Sequence, residues 1–401
     1  MANSLSASLR ENWSRDYQDT AEKVNVFSMI ANYRLEPILT KGQQAHRPYM
    51  SDIVVNTLSS EGAFTRQDIT STDEYLTVDQ EKEASFYVKD IDHWQSHYPT
   101  REEQAKKAAR RLMNHVDGNV LGEYDAATYN LSDGDFGGTT GNGITLTTSN
   151  VGQIFTKARQ KLGLADNDQD ESKWAVISEE FYTVLQDKLA DRESDLGDEM
   201  SRNGYVGKYM GFKLYKSNAL GSSYSLAYDA TTPTATNTVT INGVVFTFQT
   251  TIGSTAGNVL AATDGVTSLT NLKNFINDPG TTSATQVALS TANQNLLKGI
   301  TASISGGATG TLTLKVEGKG SINVSETLTP AADVWTTGLQ IQHVLMGQGK
   351  PVDVVVQKYP KMFLQDRTGY IGKDVVNYLV YGLKTFADGA RRMVDVKILD
   401  V

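Results

Sequence analysis

Cysteine is absent from all 401 residues. Disulfide staples, thiolate metal sites and cysteine nucleophiles are therefore excluded together, and a reducing compartment suits the chain. Long apolar runs are also missing: none approaches the ~20 residues of a bilayer-spanning helix. The opening Met1-Ala-Asn-Ser-Leu-Ser-Ala-Ser-Leu-Arg-Glu11 has no apolar stretch of secretory type. No export and no membrane partner are expected. Excess positive charge is lacking too, since the formal net charge is -9. That opposes tight, sequence-independent binding to phosphate backbones, though it does not oppose a role that only surrounds nucleic acid. One region lacks more: between Asp229 and Trp335 there is no Arg, Tyr or His.

What is present reads as a folded α+β chain. A hydrophobic fraction of 39% with 21% charged residues is that of a globular protein, and the length suggests two or three domains. Residues 1–60 have too little apolar surface for a core, and read as an arm. Within them Asp19 to Asn32 suggests a helix with Val26, Phe27 and Ile30 on one face, ended by Glu36-Pro37. Residues 61–98 alternate as a two-stranded ribbon. Leu76 and Val78 share a face, and alternation resumes after Asp79-Gln80-Glu81-Lys82-Glu83 at Ala84, Phe86 and Val88. An isolated hairpin is marginal in water, so this ribbon is expected to lean on another chain or domain.

A long helix is expected from Arg101 to Tyr124, with Thr100 and Glu103 at capping-box spacing. Its stripe is Ala105, Ala108, Ala109, Leu112, Val116 and Val120. Beside the stripe Lys106, Lys107, Arg110 and Arg111 form a basic patch. After a Gly/Thr loop (Gly134 to Gly143) comes a helix with Val151, Ile154, Phe155, Ala158 and Leu162, closed by Gly163 as C-terminal cap. Trp174 to Ile177 reads as a buried strand, and Ser178 as the cap of a third helix. From Gly221 the Thr/Ser/Gly/Ala-rich composition marks 221–338 as an inserted, mostly β domain. Its strongest signal is Asn242-Gly243, a type I′ turn inside Thr238 to Phe248. A helix near Ser268 to Ile276 and a strand over Thr311 to Glu317 are expected within it. The earlier character returns over 339–401, with strands at Val352 to Val356, Val375 to Phe386 and around Val394, Val396 and Ile398, and a turn at Asp388-Gly389.

No reaction-specific constellation emerges. His93 and His97 are four apart but have no carboxylate between them of the kind that zinc-protease chemistry needs. Asp166, Asp168 and Asp170 begin like a calcium loop, but Glu171 stands at the required glycine and Ile177 at the closing glutamate. Gly137 to Gly143 lacks the Lys-Ser/Thr of a phosphate loop. Ser178 lacks the flanking glycines of a nucleophile elbow, and helix capping accounts for it. Neither cofactor, metal nor catalysis is expected.

The order of these parts resembles the Hong Kong 97-type capsid fold of tailed-phage major capsid proteins. The similarity is carried by Leu76 to Asp92, Val176-Ile-Ser-Glu-Glu-Phe-Tyr182, the glycine-punctuated Gly207-Lys-Tyr-Met-Gly-Phe-Lys-Leu-Tyr-Lys-Ser-Asn218 and Tyr378-Leu-Val-Tyr-Gly-Leu-Lys-Thr-Phe386. It implies an N-terminal arm (1–60), an extended E-loop (61–98) and a spine helix of the peripheral domain (99–130). An axial domain (131–220) then follows, with its return and the peripheral C-terminal strands at 339–401. Residues 221–338 are similar to the extra domain of some coats, and are expected on the outer surface. The resemblance implies a structural, non-enzymatic subunit. It would assemble with its own copies as hexamers and pentamers into an icosahedral head around double-stranded DNA, without sequence-specific contact. A scaffolding protein and a portal are the implied partners. The implied location is the virion, after assembly in the host cytoplasm. Leu76, Val78, Lys82, Phe86 and Tyr87 are then expected at intersubunit contacts, while the lysine–asparagine cross-link of some relatives is not expected at Lys82. Leu112, Val116 and Val120 would pack the spine. Lys106, Lys107, Arg110 and Arg111 would face the next subunit or the interior. A decoration or tail protein is the alternative suggested by the insert, and a secreted glycan-binding protein or hydrolase is disfavoured by the absent signal.

Overall fold

The computed structural model describes residues 25–399, except 51–52, 59, 61, 63, 65, 96–99, 165–171, 191–206, 319, 330–332 and 367–368. The first elements are α1 (Phe27–Ile30), β1 (Ala31–Asn32), β2 (Gln44–Met50), β3 (Ser71–Thr77), β4 (Gln80–Lys89), α2 (Asp90–Gln95) and α3 (Thr100–Leu121). Next come β5 (Tyr129–Leu131), α4 (Val151–Leu164), β6 (Lys173–Ile177), α5 (Glu179–Ala190), β7 (Lys208–Tyr209) and β8 (Phe212–Lys216). The insert region holds β9 (Ser222–Tyr228), β10 (Thr238–Ile241), β11 (Val244–Gln249), β12 (Asn258–Leu260), α6 (Gly265–Asn277), α7 (Thr291–Leu297), β13 (Ile300–Gly306), β14 (Gly310–Val316) and β15 (Val324–Glu326). The chain closes with β16 (Trp335–Gln348), β17 (Val352–Asp366), β18 (Gly372–Thr385), α8 (Ala387–Ala390) and β19 (Met393–Leu399).

Helical periodicity places α3, α4 and α5. On α3 the alanines Ala105 and Ala108, then Leu112, Val116 and Val120, are buried against β4 and β18. Each of the larger apolar side chains stabilises the fold by about 1.5–3 kcal/mol on burial. Asp117, buried on the same helix, accepts hydrogen bonds from the backbone N–H groups of Val26 (2.9 Å) and Phe27 (2.7 Å) and so ties α1 to the spine. The five apolar residues expected on α4 are all buried, with Phe155 edge-on to Phe181 at 5.8 Å and to Tyr209 at 5.1 Å. Gly163 is no cap, because α4 continues through Leu164. Ser178 does cap α5, its hydroxyl accepting from Phe181 N at 3.3 Å.

Two readings of the N-terminal third are corrected. Within the described residues the first helix is only Phe27–Ile30. It stops well before Glu36-Pro37, because Ala31 turns extended and pairs in parallel with Val352, where a sheet edge offers its backbone better partners. The alternation over 61–98 is not one ribbon either. β3 pairs antiparallel with the earlier β2, from Gln44 opposite Thr77 to Met50 opposite Ser71. β4 crosses to β18 and pairs along its whole length, from Lys89 opposite Gly372 to Gln80 opposite Tyr381. Alternation sets a strand's two faces, not its neighbour.

A nine-stranded sheet organises the rest, in the order β13-β14-β9-β16-β6-β8-β7, with β19 on the other edge of β16 and β5 beyond it. The insert therefore extends the host sheet through β9 instead of hanging from two loops. It still has a separate core, where Phe246 meets Phe275 at 5.2 Å among Leu226, Ile241, Leu272 and Leu314. The turn at Asn242-Gly243 has φ of 49° and 79°, and it sets Ile241 opposite Val244 as the type I′ reading requires. α6 covers this core, capped by Asp264, which accepts from Thr267 N at 2.7 Å. Asp388 and Gly389 lie in the short α8 that joins β18 to β19.

Candidate assembly surfaces

The β2–β3 hairpin is fixed at its base and apolar at its end. At the base Ala45, Leu76 and Val78 bury against Leu39, Val355 and Phe386. Gln357 Nε2 donates to the carbonyls of Leu39 (3.0 Å) and Gly42 (2.6 Å). The Arg47 guanidinium donates to Asp388 Oδ1 at 2.5 Å and lies 4.6 Å over the Phe386 ring. Burial raises the Asp388 carboxyl, but the bond and charge of Arg47 outweigh it, so its pKa is lowered. Farther out Met50, Ile53, Val54, Val55, Leu58, Phe64 and Ile69 are exposed, Val55 to 96%. Ile53, Val54, Leu58, Phe64 and Ile69 flank a shallow hollow of about 300 Å³, in which Gln67 bonds to both the N–H (2.9 Å) and the carbonyl of Val54. So many exposed apolar side chains on a two-stranded hairpin form a surface that requires a partner.

A second surface is the far end of β17 and β18, where Tyr359, Phe363, Tyr370, Ile371 and Tyr378 are exposed. Tyr87 of β4 braces it, donating its hydroxyl to Ile371 O at 2.9 Å and meeting the Tyr370 ring at 6.2 Å. Burial, then the hydrogen bond to Glu36, pushes the Tyr359 hydroxyl up to about 12.

The expected site residues divide accordingly. Leu76 and Val78, expected at intersubunit contacts, are covered by this chain's own core. Phe86 and Tyr87 are half-buried on β4, beside the second surface. Lys82 lies against the spine: burial and then its ammonium lower the His115 pKa. Leu112, Val116 and Val120 are buried. Lys106, Arg110 and Arg111 are exposed and Lys107 is half-buried, with Lys106 bridging to Glu103 at 3.0 Å. The exposed hydrophobics of 53–69 went unrecognised, although Ile53, Val54, Val55 and Leu58 stand close together in the sequence. His97 and Asp166 to Asp170 lie outside the described residues. Among the described residues no group of three or more His, Asp or Glu is arranged to hold a metal, and no helix is long and apolar enough to cross a membrane.

No family model matches the sequence, and neither does any curated protein. Solved structures do match. The chain is similar to that of Mycobacterium phage Che8, with a TM-score of 0.59 at 14% identity over 97% of this chain and 96% of that one. The capsid structure of the cyanophage P-SCSP1u gives 0.57 at 12% identity, over 100% and 96%. The mature capsid of bacteriophage PhiM1 gives 0.53 at 10%, over 98% and 93%. This is the Hong Kong 97-type capsid fold. The matches span nearly the full length of both chains, so residues 221–338 lie within the matched span.

Proposed function

We propose that the chain is the major capsid protein of a tailed bacteriophage. It is a structural subunit that assembles with its own copies, as hexamers and pentamers, into the icosahedral head enclosing double-stranded DNA. The supporting observation is the hairpin: anchored at Leu76 and Val78, it carries a run of exposed apolar residues from Ile53 to Ile69 that the chain does not cover. A neighbouring copy supplies the missing burial, and interlocked interfaces of this kind exceed what any monomer holds. A scaffolding protein and a portal assist assembly in the host cytoplasm, and the product resides in the virion. The basic side of the spine serves subunit contacts, because four cations attract phosphate only weakly at cellular salt. Residues 221–338 form the added domain and stand on the outer surface, in keeping with the lack of arginine from Ser222 to Asp366. Electron microscopy of the expressed chain, alone and with its scaffold, tests the proposal. Closed shells are expected; a chain that stays monomeric under both conditions overturns it.

A further inference from the structure

Ser223, His343 and Asp395 come together on one face of the nine-stranded sheet. β16 is flanked by β9 on one edge and β19 on the other; Ser223 lies opposite Ile341 and Asp395 opposite Leu345, so both share the face of His343. His343 Nδ1 lies 2.9 and 3.0 Å from the two carboxylate oxygens of Asp395. A carboxylate only accepts, so Nδ1 carries the proton, and Nε2 accepts from the Ser223 hydroxyl at 2.9 Å. The ring is held further by Tyr124, stacked at 3.6 Å and 7°. That stacking requires glycine at Gly221, where a Cβ would sit 2.5 Å from the Tyr124 ring. His343 and Asp395 are buried, whereas Ser223 is half-exposed, and all three border a cavity of about 380 Å³. Lys315, directly opposite Ser223 in the β-ladder, brings its ammonium to that cavity, bound to Asp125 at 2.6 Å and near Glu317 at 3.6 Å. Lys397 borders it beside His343.

We propose that Ser223 is an activated nucleophile, with His343 as its general base and Asp395 as the positioning residue, in a site for small carboxylic esters. Nucleophile bonded to base and base bonded to an orienting carboxylate is the arrangement that recurs on unrelated folds for acyl transfer. Ser223 Oγ adds to the ester carbonyl as its proton passes to His343 Nε2, and the oxyanion forms on the side of the Lys315 ammonium. Collapse breaks the ester C–O bond, and the leaving alkoxide takes the proton from His343 and departs as the alcohol. Water then adds to the acyl-serine while giving a proton to His343. The second collapse releases the carboxylic acid and returns that proton to Ser223 Oγ. Ester and water become acid and alcohol, and nothing is oxidised or reduced.

The test is to treat the purified full chain with a fluorophosphonate, which bonds an activated serine with loss of fluoride, and to map the adduct by mass spectrometry. One adduct on the peptide carrying Ser223 is expected, together with release of nitrophenol from p-nitrophenyl acetate above the buffer rate. Ser223→Ala removes both, and His343→Gln slows labelling about 10²-fold or more, the usual contribution of a general base. Asp395→Asn slows labelling, and Asp395→Glu, which keeps a carboxylate for the Nδ1 proton, restores part of the rate. A wild-type chain unlabelled at Ser223, or His343→Gln labelled at the wild-type rate, overturns the proposal. Asp395→Asn labelled at the wild-type rate, or Asp395→Glu labelled no faster than Asp395→Asn, removes the role of Asp395. The wild-type peptide map decides the main point even where Ser223→Ala does not fold.

Discussion

Gly118 of α3 and Gly318, just after β14, meet backbone to backbone: a Cβ on Gly118 would lie 2.8 Å from the Cα of Gly318. This contact seats the insert on the C-terminal half of the spine. Gly118→Ala gains at most about 1 kcal/mol of helix propensity. It also forces two main chains apart, an overpacking that costs about 1–3 kcal/mol. Net destabilisation is expected, read as a lower urea midpoint of the monomer, and a midpoint equal to or above wild type would show that the helix and insert slide apart freely.

The hairpin separates folding from assembly. Val55→Ser with Phe64→Ser replaces exposed side chains and leaves monomer stability within about 0.5 kcal/mol, as surface changes do. Shell formation is expected to fail or to yield heat-labile particles, judged by electron microscopy and sedimentation. Leu76→Asp, by contrast, places a charge in the covered base and destabilises the monomer by about 3 kcal/mol or more. Normal shells from the double serine variant would end the assembly role of the hairpin.

The spine offers a similar contrast. Leu112 is buried, so Leu112→Asp is expected to abolish soluble, folded chain. Arg110 and Arg111 are exposed, and Arg110→Gln with Arg111→Gln leaves the circular dichroism melting midpoint within about 2 °C of wild type. A large drop in the double variant would make the basic patch part of the fold.

How much of this could be read from the sequence depended on how local the determinant is. The helical stripe of Leu112, Val116 and Val120 and the turn of Asn242-Gly243 depend on neighbours in the chain, and the fold has both. The partner of β4 lies almost three hundred residues away, from Lys89 to Gly372, and alternation contains nothing that selects it. The same limit hid Ser223, His343 and Asp395. They are separated by 120 and 52 residues, and only the order of β9, β16 and β19 brings them together. Ser178, for all its local strand-to-helix setting, is a helix cap.

Two buried acids give stability a distinctive pH dependence. Burial first raises Asp333 from 3.8 to about 6, the N–H of Asp229 pulling the other way. Burial likewise raises Asp353 from 3.8 to about 6, against the opposing pull of Arg34 and Arg47. Between those values the folded chain holds protons that the unfolded chain releases, so this contribution is full below pH 3.8 and lost as pH rises through about 6. His115 works in the opposite direction: its pKa is lowered, and its contribution is lost as pH falls. Asp333→Asn with Asp353→Asn is expected to flatten the loss on going from pH 4 to pH 7. The slope removed is at most about 1.4 kcal/mol per pH unit for each group, less any solvent screening. Urea midpoints across that range provide the measurement, and an unchanged slope would show that neither acid is protonated in the fold.

Limited proteolysis distinguishes the insert's rim from its root. The sequence suggests cleavage near Gly221–Ser225 or within Gly306–Gly310 of intact particles. The structure separates the two. Ser222 to Ser225 belong to β9, bonded on one side to β14 and on the other to β16, and a protease needs an unpaired extended segment that such a central strand does not release. Gly306 to Gly310 form the exposed turn between β13 and β14, where the chain reverses at a Gly306 with φ of 100°. Cleavage is therefore expected at the turn alone, in free subunits and in closed shells if the insert faces outward. The clipped shells should remain closed, because the two cut ends stay paired along β13 and β14 from Ile300 to Val316. Protection of the turn in shells, with ready cleavage in free subunits, would put the insert inside the head or within an interface.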